Sequence, residues 1–450
     1  MVTSLAEALG RIKKDLACVL EPAMLVELCR EVGHEWRERL LDPVTTIHLF
    51  ILQVLNGNTA CAHVPHLAGK SFTGSAYCQA RSRLPLELFE KLLGRVLQSL
   101  VPLTRDVGRW LGHRTFLLDG SSFSMPDTKE LQQEFGQHGQ QKPGCGFPVA
   151  HLLTLFHAGT GFLLKVLASP LRTHDMKHAA QMHPELQAGD VLVADRGLCS
   201  FAHVALVVGR KLHAVFRMHQ QVIVNFTPRR QHVKPGVGRK TKGLPRSRWV
   251  RQLGRWDQIV EWFKPADRPQ WMTAESFAAL PASIRVRELR YRVNRPGFRV
   301  EQVTLVTTLV DSKRYSAAAL AELYGMRWQV ETNLSHLKRT LGLDVLRCET
   351  VRGVKKELLI FALVYNLVRA VMLEASRRQE VPLVRISFID ALRWLATVRA
   401  SADLPDLVVN PLRPNRVEPR QKKRRPKSFS LMTKPRNVLR KAQLKSQVKA

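Results

Sequence analysis

The chain has 450 residues, 45% of them apolar, enough for two or three domains with real cores. A formal net charge of +33 and a pI of about 10.6 exclude an electrostatically neutral surface and make a polyanion the natural partner. Seven cysteines without a CxxC exclude a disulfide framework and suit a reducing cytosol.

Neither a basic amphipathic anchor nor a lipidation motif points to a membrane, and the opening residues hold no signal-type apolar run. Cys61-Ala-His63 with His66 resembles half of a zinc site, but no second half follows. Residues 1–105 read as a mostly helical domain, with helices predicted over Met24–Leu41, Thr45–Leu55 and Leu86–Leu100. The last begins just after Leu84-Pro85, a favourable helix start. Between them lies a polar stretch with Ser71, Thr73, Ser75, Gln79, Arg81 and Arg83. A small basic helical module suits contact with DNA, or equally packing or dimerisation.

From Val107 the pattern changes to strands. Thr115–Gly120 is a short apolar strand ending in Asp119-Gly120. Phe147–Phe156 and Gly161–Leu167 follow, joined by a hairpin turn at Ala158-Gly159-Thr160-Gly161. Asp190–Asp195 reads as a fully buried strand, Phe201–Gly209 as a helix and His213–Met218 as another strand. Strands alternating with helices after a hairpin predict a mixed α/β sheet over 106–218, with Asp119 and Asp195 at strand ends, where such sheets place their chemistry.

Residues 219–300 break that pattern, with 18 Lys and Arg against 5 Asp and Glu, and with Trp249, Trp256, Trp262 and Trp271. Alternations such as Ile284–Val293 predict β-strands with a basic face, so the segment reads as a β-rich insertion. Its aromatics suit stacking on bases, or filling a small core. The sheet pattern returns at Gln302–Leu309, and residues 301–405 continue as helices over Ser316–Leu341, 355–375 and 385–398. Leu358–Leu373 is interrupted by Asn366 and Arg369, is too short to span a bilayer and reads as a buried helix. Residues 406–450 read as a disordered basic tail containing Lys422-Lys-Arg-Arg425.

Tyr324–Lys338 reads as one helix. At about 100° per residue, Tyr324, Arg327, Glu331 and Lys338 fall within roughly 60° of arc, beside an apolar face of Met326, Val330, Leu334, Leu337 and Leu341. Taken alone, the stripe reads as a solvated edge with an Arg327–Glu331 pair, worth a few tenths of a kcal/mol. Yet Asp119 and Asp195 end apolar strands, a costly placement without a cation nearby. Three carboxylates converging on one site would bind Mg²⁺ and serve phosphodiester chemistry. Glu322 projects about 180° from Glu331 and fits less well. Ser121 and Ser122 lack a nucleophile elbow, and Gly144-Cys-Gly146 is no phosphate loop.

Tyr324-x2-Arg327-x3-Glu331-x6-Lys338 resembles, position for position, the YREK signature of the insertion-sequence-four (IS4-like) family of bacterial DDE transposases. Val193-Ala-Asp195-Arg196-Gly197 and Leu117-Leu-Asp119-Gly120 resemble that family's two Asp blocks, although Leu198 stands where relatives often carry an aromatic. The resemblance covers roughly residues 105–400 and implies an RNase H-like fold with a β-rich insertion. It implies cut-and-paste transposition with two Mg²⁺ ions, for which Mn²⁺ can substitute, held by Asp119, Asp195 and Glu331. It further implies that Tyr324, Arg327 and Lys338 contact transposon-end DNA, with Trp328 nearby. The expected partners are end and target DNA and a second copy of the chain, in a bacterial cytoplasm at the nucleoid. In relatives a flipped base stacks on an insertion Trp; no motif selects one of the four here. Two other readings stay open: a silent transposase-derived DNA-binding protein, and a metal-dependent nuclease without strand transfer.

Overall fold

The computed structural model describes residues 18–105, 107–139, 141–171, 173, 176–235, 243–293, 302–397, 403–412, 432 and 434–447. Helix α1 (Pro22–Glu31) begins at a proline, which is tolerated there because the first amide has no helical partner. It is shorter than expected because Gly33, at φ 63°, takes the left-handed conformation that ends helices. Asp42 caps α2 (Pro43–Leu55) by accepting the Thr45 N–H at 2.6 Å. The polar stretch is itself a helix, α3 (Gly74–Arg83), capped by Thr73. Its low apolar content hid it, but Tyr77, Ala80 and Arg81 are buried. Helix α4 (Leu86–Leu100) lies where its apolar spacing predicts.

Nine strands form one sheet in the order β3-β2-β1-β4-β5-β9-β8-β7-β6. β1 (Thr115–Ser124), β2 (Val149–His157) and β3 (Leu163–Pro170) form an antiparallel meander, whereas β4 (Val191–Ala194) and β5 (His213–Arg217) run parallel to β1. Helix α5 (Phe201–Gly209) crosses between β4 and β5. β6 (Arg248–Gly254), β7 (Asp257–Phe263) and β8 (Ser283–Arg292) come from the basic segment, and β9 (Gln302–Thr307) attaches them antiparallel to β5. The architecture is mixed α/β, and these three strands extend the sheet rather than forming a separate one. The expected basic face of β8 is corrected at Arg287, which is buried against Asp257 while Arg285 is exposed.

Successive side chains of β1 enter opposite cores. Leu117 and Phe123 join the cluster that contains Leu28, Phe50 and Phe89, while Phe116 and Leu118 join a second cluster with Leu192, Val204 and Phe216. Full burial of one such side chain contributes about 1.5–3 kcal/mol, so the pattern fixes which face each polar neighbour takes. The N-terminal helices share the first core with Phe361 and Tyr365 of the long helix that closes the fold, so residue 105 marks a change of sequence pattern but not of core.

The expected single helix over Tyr324–Lys338 is corrected. The chain forms α6 (Ala317–Gly325), α7 (Trp328–Ser335) and then a π-helical turn over His336–Thr340. Helix α8 (Val351–Arg378) is long and apolar enough to cross a membrane, but 89% of its apolar window is buried inside the fold. Helix α9 (Phe388–Thr397) packs beside it. The tail expected to be disordered contains α10 (Arg436–Gln447). Arg436 bonds to Asp127 and Gly146 O at 3.2 and 3.1 Å and stacks over Phe147. Lys422–Arg425 lies outside the described residues.

Candidate active site

The parallel register of β1, β4 and β5 builds the site. Leu118 is level with Ala194, and Ala194 with Phe216. The next residue on each strand is therefore Asp119, Asp195 or Arg217, a row of three charged groups on neighbouring strands. Asp119 does not end its strand, as expected from Asp-Gly; β1 continues to Ser124 along β2. β4 stops at Ala194, and that leaves Asp119 without a strand neighbour on one side.

Each carboxylate is anchored locally. Asp119 Oδ1 accepts the Gly120 N–H at 2.8 Å, and the Thr154 hydroxyl donates to Asp119 O at 3.0 Å. Asp195 opens a 3-10 turn over Arg196–Leu198. His203 on α5 pins that turn, its Nδ1 lying 2.7 Å from Leu198 O, and its Nε2 meets His183 Nε2 at 3.0 Å. Leu198 is 4% exposed in the second core, where an aromatic is not required for packing.

The joint between α6 and α7 brings the third carboxylate. The Arg327 N–H bonds to Tyr324 O, and the Val330 N–H to Arg327 O, tight i→i+3 contacts that turn the chain without ending the helical rise. Val330, Leu334 and Leu337 are buried beneath it. The Tyr324 hydroxyl donates to Asp195 Oδ1 at 3.2 Å. Arg327 Nη1 donates to Asp119 Oδ2 at 3.2 Å and Nη2 to Glu331 Oε1 at 3.3 Å. Arg327 thus joins Asp119 to Glu331, and Tyr324, whose ring lies 5.8 Å from the Arg327 guanidinium, holds Asp195 beside them. Lys338 is not brought into this network; it pairs with Asp344 at 3.1 Å, because the π turn changes the helical phase. Trp328 is 52% exposed beside the site.

Burial pushes Asp119 up to about 6; the Gly120 amide and Arg327 oppose this, and Asp195 and Glu331 reinforce it. Burial likewise raises the Tyr324 phenol, which stays a donor. Burial works against the Arg327 charge, but Tyr324 and the three carboxylates outweigh it and hold its pKa above the ordinary value. Arg327 Nε is buried with no partner among the described residues.

No three His, Cys, Asp or Glu side chains among the described residues stand close enough, as arranged, to hold a metal ion. The donor set nevertheless fits a hard divalent cation. It offers three carboxylates and no thiolate or imidazole, and burial of Asp119, reinforced by Asp195 and Glu331, makes its charge costly in a way that a bound cation relieves. Glu331, with its side chain 47% exposed, has room to turn inward.

Sequence reasoning missed Arg217, whose charge acts on both Tyr324 and Tyr291. Reading the three parallel strands as one register would have found Arg217. Of the four insertion tryptophans, Trp262 and Trp271 pack against the second core, and Trp249 bonds to Gln252. Trp256 is 46% exposed, between Arg255 and Arg290.

Residues 110–367 match the family described as Transposase DDE domain. The chain belongs to the DDE transposase family. Within it, the chain is similar to the transposase InsG for insertion sequence element IS4 of Escherichia coli (strain K12). The two are 22% identical over 372 residues, 78% of this chain and 77% of that one. This places the DDE transposase in the IS4 family. It is 27% identical over 123 residues to the putative transposase InsZ of the same organism, 27% of this chain and 41% of that protein. Among solved structures it is similar to piggyBac transposase in a synaptic complex with hairpin DNA, at a TM-score of 0.45 and 9% identity, over 86% of this chain and 79% of that one.

Proposed function

We propose that this DDE transposase moves an insertion sequence by cutting and pasting DNA. In this reading it binds terminal inverted repeats, hydrolyses the phosphodiester at each end, frees the element by transesterification and joins its 3′-ends to target DNA. The observation that carries the reading is that one helical joint, through Arg327 to Asp119 and Glu331 and through Tyr324 to Asp195, reaches all three carboxylates at the open row of β1 and β4. The order of the first five strands, β3-β2-β1-β4-β5, supports an RNase H-like core.

Mg²⁺, as two ions replaceable by Mn²⁺, would be held by Asp119, Asp195 and Glu331 and would supply an activated water or 3′-hydroxyl and stabilise the leaving oxygen. The chain's own residues do the rest. Tyr324 fixes the Asp195 carboxylate by a hydrogen bond. Arg327 keeps Asp119 and Glu331 together in the free protein and adds positive charge beside them. Arg217 and Lys338 add positive charge along the backbone path, and Trp328 offers an exposed face. Trp256, between two arginines, is the insertion tryptophan best placed to stack on a base. Joining two ends in one event requires two active sites, hence a homodimer on DNA.

The test combines purified protein, a fragment carrying the element's ends, and Mg²⁺. Cleavage with joining supports the proposal. Cleavage without joining makes the protein a nuclease, and binding alone makes it a silent DNA-binding relative. End affinity should fall steeply with salt, given the basic insertion and tail; salt-insensitive binding counts against phosphate contact.

A further inference from the structure

Far along the chain from the carboxylates, the N-terminal helices border a half-open cavity of about 450 Å³. It forms because Gly33 turns the chain out of α1 at φ 63°, with the His34 N–H bonded back to Cys29 O at 2.9 Å. The segment that follows, up to the Asp42 cap, runs over the start of α2 and the end of α3. The floor is apolar and tightly packed, with Leu84 at 2% and Ala80 at 4% exposure. The walls are not apolar. Arg37 and Arg39 from the segment and Arg83 from α3 all line the cavity, against the single carboxylate Glu35.

None of these three guanidinium groups has a hydrogen bond or ion pair with another described residue. This contrasts with Arg81, two residues earlier on α3, whose guanidinium is buried and bonded to Gln53. Three exposed guanidiniums around one cavity, with no partner among the described residues, repel each other, and a shared anion offsets that repulsion. The cavity also holds an aromatic surface. The His34 and Trp36 rings stack at 6.0 Å with 21° between their planes. Burial, together with Arg83 and Lys356, keeps His34 below its ordinary pKa, so its ring is neutral and suited to stacking. A phosphate alone uses the guanidiniums and ignores the rings. An apolar ligand uses the rings and leaves the charges unmet.

We infer that this cavity is a nucleotide site, taking a base against Trp36 and His34 and its phosphate between Arg37, Arg39 and Arg83. The nucleotide comes either from an unstacked position in a DNA strand or from a free nucleoside phosphate. The site is separate from the carboxylates and stands or falls independently of the proposed transposition chemistry.

The experiment uses the full chain and a 5′-phosphorylated hexadeoxynucleotide with one 5-iodo-deoxyuridine. Near-ultraviolet crosslinking is followed by peptide mass spectrometry. The expected result is a crosslink at Trp36 or His34 that falls at least tenfold in the triple variant Arg37→Ala, Arg39→Ala, Arg83→Ala. These side chains are exposed, so the variant should melt with the parent; crosslinks at other sites serve as an internal standard. Competition by unlabelled hexanucleotide but not by 2′-deoxyadenosine 5′-monophosphate assigns the site to DNA, and competition by both assigns it to free nucleotides as well. No crosslink in the 34–36 segment, an unchanged yield in the triple variant, or equal competition by inorganic phosphate overturns the inference. Asp119→Ala should leave the crosslink unchanged, which separates failure here from failure of the catalytic reading.

Discussion

Arg287 on β8 and Arg327 at the α6–α7 joint each hold an aspartate of a neighbouring element. Arg287, 1% exposed, gives Nε and Nη2 to both oxygens of Asp257 at 2.8 and 2.5 Å and Nη1 to Tyr315 O at 2.5 Å. Arg327 divides its two terminal nitrogens between Asp119 and Glu331 at 3.2 and 3.3 Å and leaves Nε buried and unused. The insertion half of the sheet uses a guanidinium as a bidentate clamp, the geometry in which a buried pair offsets its desolvation. The half that carries Asp119 uses one as a loose counter-charge, which does not offset the burial that raises Asp119 to about 6. A tight clamp belongs to stability. A loose one leaves its partners free for other cations.

The largest expected effect falls on the loose side. Asp119→Ala, Asp195→Ala and Glu331→Ala should each lower end cleavage on the order of 10³-fold or more, as when one member of a catalytic unit is lost. End binding should survive, measured by gel shift at fixed salt. A variant that cuts at the parental rate removes its residue from the site.

Stability should sort the two arginines the other way. Arg287→Ala leaves Asp257 unpaired and largely buried, at a cost of about 3–5 kcal/mol in denaturant unfolding. Arg327→Ala should cost clearly less, because Tyr324 and the Gly120 amide still hold Asp195 and Asp119, yet it should remove cleavage. Equal destabilisation by the two would break the comparison.

Asp119→Asn tests the cost of burying this charge. The folded carboxyl titrates near 6 against an ordinary 3.8, so the folded state holds the extra proton between those values. The stability contributed by that proton is complete below about 3.8 and is lost as pH rises through about 6. At pH 7.5 without divalent metal, Asp119→Asn should therefore be more stable than the parent by about 1–3 kcal/mol, and the gain should vanish near pH 4. Added Mg²⁺ should raise the melting temperature of the parent and not of the variant. A variant less stable than the parent at pH 7.5 would show that Arg327 already balances the site.

Much of this site was legible in the sequence, where period and register coincide. Asp190–Asp195 and Phe201–Gly209 were readable because a fully apolar run before a polar residue, and a Ser-capped apolar helix, leave few alternatives. The α6–α7 break was not, because its cause is tertiary. Gly325-Met326 is compatible with continuous helix, and the tight turn appears only where Tyr324 and Arg327 reach two different strands. Lys338 was misplaced for the same reason, since a fixed angle per residue cannot anticipate a π turn. Arg287 looked like part of a basic face because its partner Asp257 lies 30 residues away, on another strand. The cavity at Arg37 and Arg83 joins two segments that only the packing of α1 to α3 brings together.

The smallest expected effect separates positioning from chemistry on the loose side. Tyr324→Phe removes only the hydroxyl that donates to Asp195; the ring, 6% exposed in the first core, stays packed. One hydrogen bond to a charged acceptor is worth about 1.5–3 kcal/mol, and with Asp195 partly open to water the lower end applies. Single-turnover cleavage should therefore fall about tenfold, with unfolding nearly unchanged. A loss as large as that of Asp195→Ala would mean that the hydroxyl takes part in the chemistry itself, and Tyr324 would then stand beside the carboxylates rather than behind Asp195.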